Sequence, residues 1–318
     1  MRKLSAFRQL TVTPERYALV TRVALWTLTG IVLTGAAVRV TGSGLGCPTW
    51  PKCTDQSLYT ELNTHGLIEF GNRMLTSVVG FACLAACVGA FLRRPRRRDL
   101  VRLGALLPLG VLAQIVLGGF TVRYDLAPGL VMSHYLLSML IIVAAVALDW
   151  RAHREEGEAP VETDRLVALG VRALFPLGAI TIFAGTAASA AGPHAGGAGT
   201  GDIINRLTFK GADTLRYVVE QHARLATVLG LLAVVLWVLA RRRGVTARQR
   251  KPLTAVCVLL ALQGVVGGLQ YKLELPAEIV WVHVVLAAMT WVAILLSVAA
   301  IGKPAPRGVR SREAAPAQ

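Results

Sequence analysis

Eight long apolar runs decide what this chain can fold into. They occupy residues 17–40, 65–92, 100–122, 129–149, 166–189, 214–240, 253–271 and 277–301. Each is close to or beyond the roughly 20 residues that a helix needs to cross a bilayer. Hydrocarbon offers no partner for backbone N–H and C=O groups, so each run is expected to be a helix, which satisfies its own backbone. The first run is too long for a cleaved signal peptide and no small-residue cleavage site follows it, so it is expected to stay in the chain. Composition agrees. Of 318 residues, 54% are hydrophobic and 16% charged, against about 45–50% and 25% in soluble domains. Those values exclude a disordered chain and a small disulfide-built scaffold.

A net charge of +16 could suit nucleic acid, but the basic residues form short clusters between apolar runs. The two tails and the second–third, fourth–fifth and sixth–seventh connections hold 22 lysines and arginines, Arg93–Arg98 and Arg241–Lys251 being the densest stretches. The other connections hold only Lys52, Arg123, Arg206, Lys210 and Lys272. The excess of positive charge marks the cytoplasmic side. Both termini are therefore expected in the cytoplasm, and loops 41–64 and 190–213 outside. A cationic face against anionic membrane lipid accounts for the charge without nucleic acid.

The two halves resemble each other. "LAQIVLGGFTVRYDLAPGLVMSH" (112–134) aligns without a gap on "ALQGVVGGLQYKLELPAEIVWVH" (261–283), pairing Gln114 with Gln263, Gly118-Gly119 with Gly267-Gly268, and His134 with His283. An offset of 150 sets "NRMLTSVVG" (72–80) against "HARLATVLG" (222–230), pairing Asn72 with His222. The expected fold is an all-α membrane protein of eight transmembrane helices, built as two duplicated four-helix bundles over 1–150 and 151–318. Four spans separate equivalent helices, so the repeats share their orientation in the membrane.

Histidine inside a span is costly and marks a functional candidate. His134, His222 and His283 all fall several residues inside the outer ends of their spans. Two imidazoles facing each other in an apolar four-helix bundle suit axial ligation of a haem iron. Zinc would want a third or fourth donor nearby, which the second half does not offer at that depth. The plainer alternative is that each histidine only hydrogen-bonds between helices. In the second span His65, Glu69 and Asn72 share a helix face, with Arg73 beside them. A carboxylate there suits proton handling beside a reacting substrate, or else an ion pair with Arg73 that anchors the helix end. The counterpart of Glu69 is Val219, and the neighbouring Glu220 is turned about 100° away. One half thus carries two histidines and the other a histidine and a carboxylate, the pattern of an electron-carrying haem beside a reaction site.

Cys47 and Cys53, close together in the Gly/Pro-rich outer loop, favour a disulfide, with a redox role toward a thiol partner as the alternative. Cys83, Cys87 and Cys257 are expected to pack as small hydrophobes. His194 is expected at a loop surface or substrate edge, and His153 in solvent. Arg224 could meet a haem propionate or snorkel to the interface.

These features resemble the haem A synthase family along essentially the whole chain. Ile68-Glu69-Phe70-Gly71-Asn72-Arg73 stands where the family carries a Glu-x-x-His-Arg type segment, and His134, His222 and His283 occupy its remaining histidine positions. The resemblance implies oxidation of the C8 methyl of haem O to the formyl group of haem A. It implies haem b as cofactor on His222 and His283. It also implies substrate haem in the first half, with Glu69 as catalytic carboxylate, His134 as iron ligand, and Asn72 and Arg73 beside it. Haem O synthase (protohaem farnesyltransferase) and an electron acceptor are the implied partners. Two departures stand out. Asn72 replaces a histidine, and an amide is a poor iron ligand. His65 lies about 10 Å along the helix from that position, so His134 alone, or with water, is expected on the substrate iron. The second outer loop has no cysteine pair. A non-catalytic cytochrome b electron carrier would need the histidines without Glu69, and a transporter would use them to relay protons.

Overall fold

The computed structural model describes residues 11–305 except 61, 156, 157, 159, 160, 198 and 203. Arg2, Lys3, Arg8, Arg307, Arg310 and Arg312 lie outside the described residues. Eight helices dominate: α1 (Pro14–Val40), α2 (Thr64–Leu92), α3 (Arg98–Arg123), α4 (Pro128–Ala152), α5 (Arg165–Ala191), α6 (Thr214–Arg242), α7 (Ala247–Lys272) and α8 (Ala277–Ala300). All eight are long and apolar enough to cross a membrane. They match the eight apolar runs and extend several of them into polar caps. Thr13 accepts a hydrogen bond from Arg16 N at the start of α1. Asn63 accepts from Gly66 N for α2 and Asp164 from Leu166 N and Val167 N for α5. A Thr246–Gln249 capping box opens α7. Each cap supplies an acceptor to backbone N–H groups that have no partner within the helix.

α1 packs on α2 and α4, and α3 packs on the same two helices. The second group repeats this order: α5 and α7 both pack on α6 and α8. The groups meet where α8 lies against α1 and α4, and α4 against α5. Two indoles on α8 tie that seam. Trp291 Nε1 donates to Met139 O at 3.0 Å, and Trp281 Nε1 donates to Leu33 O at 2.9 Å. Trp291 also stacks on Phe175 of α5, ring centres 5.3 Å apart.

The repeat extends to the backbone of the turns. Asp125 and Leu126 between α3 and α4 have φ of 47° and 55°, and Glu274 and Leu275 between α7 and α8 have φ of 62° and 65°. Left-handed conformations are uncommon outside glycine. Matching bonds hold both turns, with Leu126 N donating to Thr121 O at 2.8 Å and Leu275 N to Gln270 O at 2.7 Å.

The connections gather at two ends. Loops 41–64 and 190–213 touch through Gly44 N to Gly196 O and Gly199 N to Gly42 O, and His194 Nε2 bonds to Leu275 O in the α7–α8 turn. At the opposite, basic end Val12 bridges to Arg93, and the short parallel strands β1 (Glu162–Thr163) and β2 (Lys303–Pro304) pair. The Thr163 hydroxyl there accepts a bond from Gln249 Nε2. His153, expected in solvent, is exposed, and it also bonds through Nδ1 to Asp149 O and through Nε2 to the Arg22 guanidinium.

Arg97 shows how the basic end is held. It is buried, donates to Arg151 O in the last turn of α4 and to Arg154 O just past it, and forms a two-bond pair with Asp99. Removing it leaves two carbonyls and a carboxylate short of donors. Arg97→Ala is expected to destabilise the detergent-purified protein by about 1–3 kcal/mol in thermal unfolding, whereas the exposed Arg98→Ala changes it by less than about 0.5 kcal/mol.

Candidate functional site

His134, His222 and His283 each lie over a glycine of the preceding helix. A Cβ on Gly118 of α3 would stand 3.3 Å from His134 Cε1, and one on Gly267 of α7 would stand 3.3 Å from His283 Cε1. A Cβ on Gly185 of α5 would stand 3.0 Å from His222 Cε1. The fourth member of the set is Asn72, whose Nδ2 lies 4.0 Å from where Gly35 of α1 would carry a Cβ. Gly35 and Gly185 are 150 residues apart, the same offset as Asn72 and His222, so the repeat itself identifies them although the histidine count does not. Each glycine lets a planar side chain lie directly on helix backbone, which fixes the ring's depth and tilt.

His222 and His283 face each other across α6 and α8, with ring centres 6.1 Å apart and planes crossed at 76°. His222 Nδ1 donates to Thr181 O at 3.0 Å, an arrangement that leaves Nε2 for another partner. The Nδ1 atoms of His134 and His283 are buried without a partner among the described residues. Nε2 of all three rings bonds to none of the described residues. Among the described residues no three His, Cys, Asp or Glu side chains gather as a metal-ligating group.

The first group of helices differs in its loop. Cys47 and Cys53 form a disulfide, and both are almost wholly buried. Glu69 is buried at 6% exposure and accepts bonds on both oxygens. Its Oε2 takes the Cys47 N–H at 2.7 Å, and its Oε1 takes Arg73 Nε at 3.1 Å and a second bond from Nη2. Arg73 also donates to the carbonyls of Cys47, Thr49 and Lys52. The carboxylate and the guanidinium thus grip the disulfide loop from the first turns of α2. That loop carries Trp50, whose indole lies over Gly119: a Cβ there would be 2.6 Å from Trp50 Cδ2. The Gly118-Gly119 pair therefore holds His134 on one residue and Trp50 on the next. In the second group Gly267 holds His283, but none of the described residues comes within 4 Å of a Cβ on Gly268.

Other histidines and arginines fall elsewhere. His65 bonds through Nδ1 to Ser43 Oγ at 2.8 Å, and its ring lies where Gly199 would carry a Cβ. His194 links the second loop to the α7–α8 turn. Arg224 is 69% exposed and pairs with Glu220, which also pairs with Arg216. Cys83 is buried, and Cys87 and Cys257 are half-buried.

A family model described as "Cytochrome oxidase assembly protein" matches residues 18–295, a stretch that contains every residue of the arrangement above. The chain belongs to this family. Similar curated members named Heme A synthase come from Lysinibacillus sphaericus strain C3-41 and Geobacillus kaustophilus strain HTA426, at 31% and 32% identity over 120 residues. Another comes from Exiguobacterium sibiricum, at 27% over 124 residues. These alignments span 37–39% of this chain and 37–42% of the family members' own lengths. The family match and the eight helices make the chain a multi-pass membrane protein.

The glycine cradles give a direct test. Gly185→Leu forces a side chain onto the His222 ring and is expected to cost about 1–3 kcal/mol by overpacking. Gly268→Ala meets open space and is expected to leave thermal unfolding unchanged or raise stability by up to about 1 kcal/mol through helix propensity. Equal destabilisation by both would contradict the cradle assignment.

Proposed function

We propose that this chain is a haem A synthase, converting haem O to haem A by successive oxidation of the C8 methyl group to a formyl group. The observation that carries the reading is the imidazole pair of α6 and α8. A histidine nitrogen binds a metal at about 2.0–2.1 Å and sits roughly 1.1 Å from its own ring centre, so two rings sharing one ion stand about 6.3 Å apart. The 6.1 Å between His222 and His283 suits that spacing. A donor set of two imidazoles suits an ion that already has four planar nitrogen donors, as haem iron has. The bond from His222 Nδ1 to Thr181 O is the usual outer partner that orients a ligating imidazole.

In this reading His222 and His283 hold a haem b, which supplies one-electron transfer when bound. The helices of 1–150 form the substrate half and those of 151–318 the electron-carrying half, related by duplication. Haem O binds among α1–α4, with His134 as its iron ligand and Glu69 as the carboxylate that handles protons at the reacting methyl. Arg73 pairs with Glu69 and holds it in place. Trp50 and the disulfide loop, gripped by that same pair, limit the entry of water over the His134 end of the helices. Loops 41–64 and 190–213 face outside and both termini face the cytoplasm, following the distribution of basic residues. Haem O synthase delivers the substrate, and an electron acceptor completes the turnover.

The test is pigment analysis after co-expression with an enzyme that makes haem O. Wild type is expected to accumulate haem A. Glu69→Gln keeps an acceptor for Cys47 N–H, so it is expected to fold, retain haem b, and lose conversion by a factor of at least about 100, the scale of a positioned acid or base. His283→Ala is expected to lose most haem b. Haem A at wild-type levels in Glu69→Gln would reduce Glu69 to a loop anchor, and no haem A from the wild type would leave an electron carrier as the better reading. Equal haem loss in both variants would refute the division between halves.

A further inference from the structure

The two groups of helices solve the same packing position in different ways. In the second, His222 lies on Gly185 and donates from Nδ1 to the carbonyl of Thr181. In the first, the corresponding carbonyl is that of Ile31, and Thr34 Oγ1 lies 3.2 Å from it. The same hydroxyl lies 2.7 Å from Asn72 Oδ1. Thr34 corresponds to Ala184, which has no hydroxyl. A threonine therefore stands where it can hold the amide, and only in the group where the imidazole is missing.

The hydroxyl has one proton, and the shorter contact is the one to Asn72. With Thr34 donating to Oδ1, the amide has one orientation, and its N–H bonds have no partner among the described residues. A bond accepted at Oδ1 also polarises the amide and makes its N–H groups better donors. His65, the other candidate for this position, is occupied by Ser43 and lies against Gly199.

Building on the functional reading above, we propose that Thr34 and Asn72 make the first-group haem site one-sided. His134 is its only strong iron ligand, and the Asn72 amide donates a hydrogen bond to a small neutral ligand, a diatomic gas or water, on the opposite face. Hydrogen-bond donors and steric access on that face decide whether a haem binds small ligands or only carries electrons. Asn72 is shorter than histidine and lies on Gly35, so it leaves room where His222 reaches across to share an ion with His283. Thr34 is a positioning residue that acts through Asn72.

The probe is carbon monoxide, added to the reduced full-length protein purified with its pigments. The expected result is one carbon monoxide bound for every two haems, lost in His134→Ala. Asn72→His supplies a second imidazole, as in the other group, and is expected to keep the haem content but weaken carbon monoxide binding at least tenfold. In infrared spectra, loss of the donor in Asn72→Leu is expected to move the C–O stretch to higher frequency, and Thr34→Val to move it the same way by less. A wild-type protein without the His134-dependent haem would sink the functional reading and this inference with it. A protein that has that haem but binds no carbon monoxide, or an Asn72→His variant that binds it as well as wild type, would overturn the one-sided site alone. A C–O stretch unmoved by Thr34→Val would overturn the positioning role of Thr34.

Discussion

Two imidazoles, brought within 6.1 Å of each other inside an apolar bundle, form the contact around which this protein is organised. Removing such groups from water is costly, and among the described residues only His222 recovers a hydrogen bond, to Thr181 O. The other nitrogens have no partner among the described residues, and the shared ion proposed above would take one from each ring. The geometry depends on glycine. Gly185 and Gly267 let both rings lie on neighbouring backbone, so depth and angle follow from helix packing and not from flexible side chains. Because α8 also packs on α1 and α4, and Trp281 bonds to Leu33 only two residues before His283, the pair is mechanically joined to the other group.

Against that shared frame the halves diverge in ways that suit different work. The first group adds a disulfide loop, a carboxylate and a guanidinium that hold it, and an indole over Gly119. In the second, none of the described residues covers the equivalent Gly268. Glu69 has two tasks in this account: it accepts the Cys47 N–H and it faces the chemistry. The Glu69→Gln substitution separates the two, because an amide retains the backbone acceptor and loses the charge. The buried disulfide is placed as a staple for that loop, with both sulfur-bearing residues enclosed.

Much of this was legible in the sequence because it depends on periodicity. Eight apolar runs became eight helices, and the starts of α1 and α7 moved most, where Thr13 and Thr246 cap them in polar sequence. The unchanged spacing from Gln114 to His134 and from Gln263 to His283 has its counterpart in two turns with the same pair of left-handed residues. Those turns were not predictable locally, since Asp125-Leu126 and Glu274-Leu275 carry none of the usual glycine signal. Spacing along α2 put Glu69, Asn72 and Arg73 near one another. It could not show that the Cys47 N–H would reach Glu69, that Trp50 would lie on Gly119, or that Thr34 would meet Asn72. Those are contacts between segments, set by how the loop and α1 pack.

Electron paramagnetic resonance of the oxidised protein tests the central claim most directly. Imidazole planes crossed at 76° would leave the d orbitals of an iron held between them nearly equal in energy. The expected spectrum therefore contains a low-spin ferric signal of strong anisotropy, absent from His222→Ala and His283→Ala and retained in His134→Ala. A low-spin signal that survives the loss of either His222 or His283, or a protein with no ferric haem signal at all, would contradict the account.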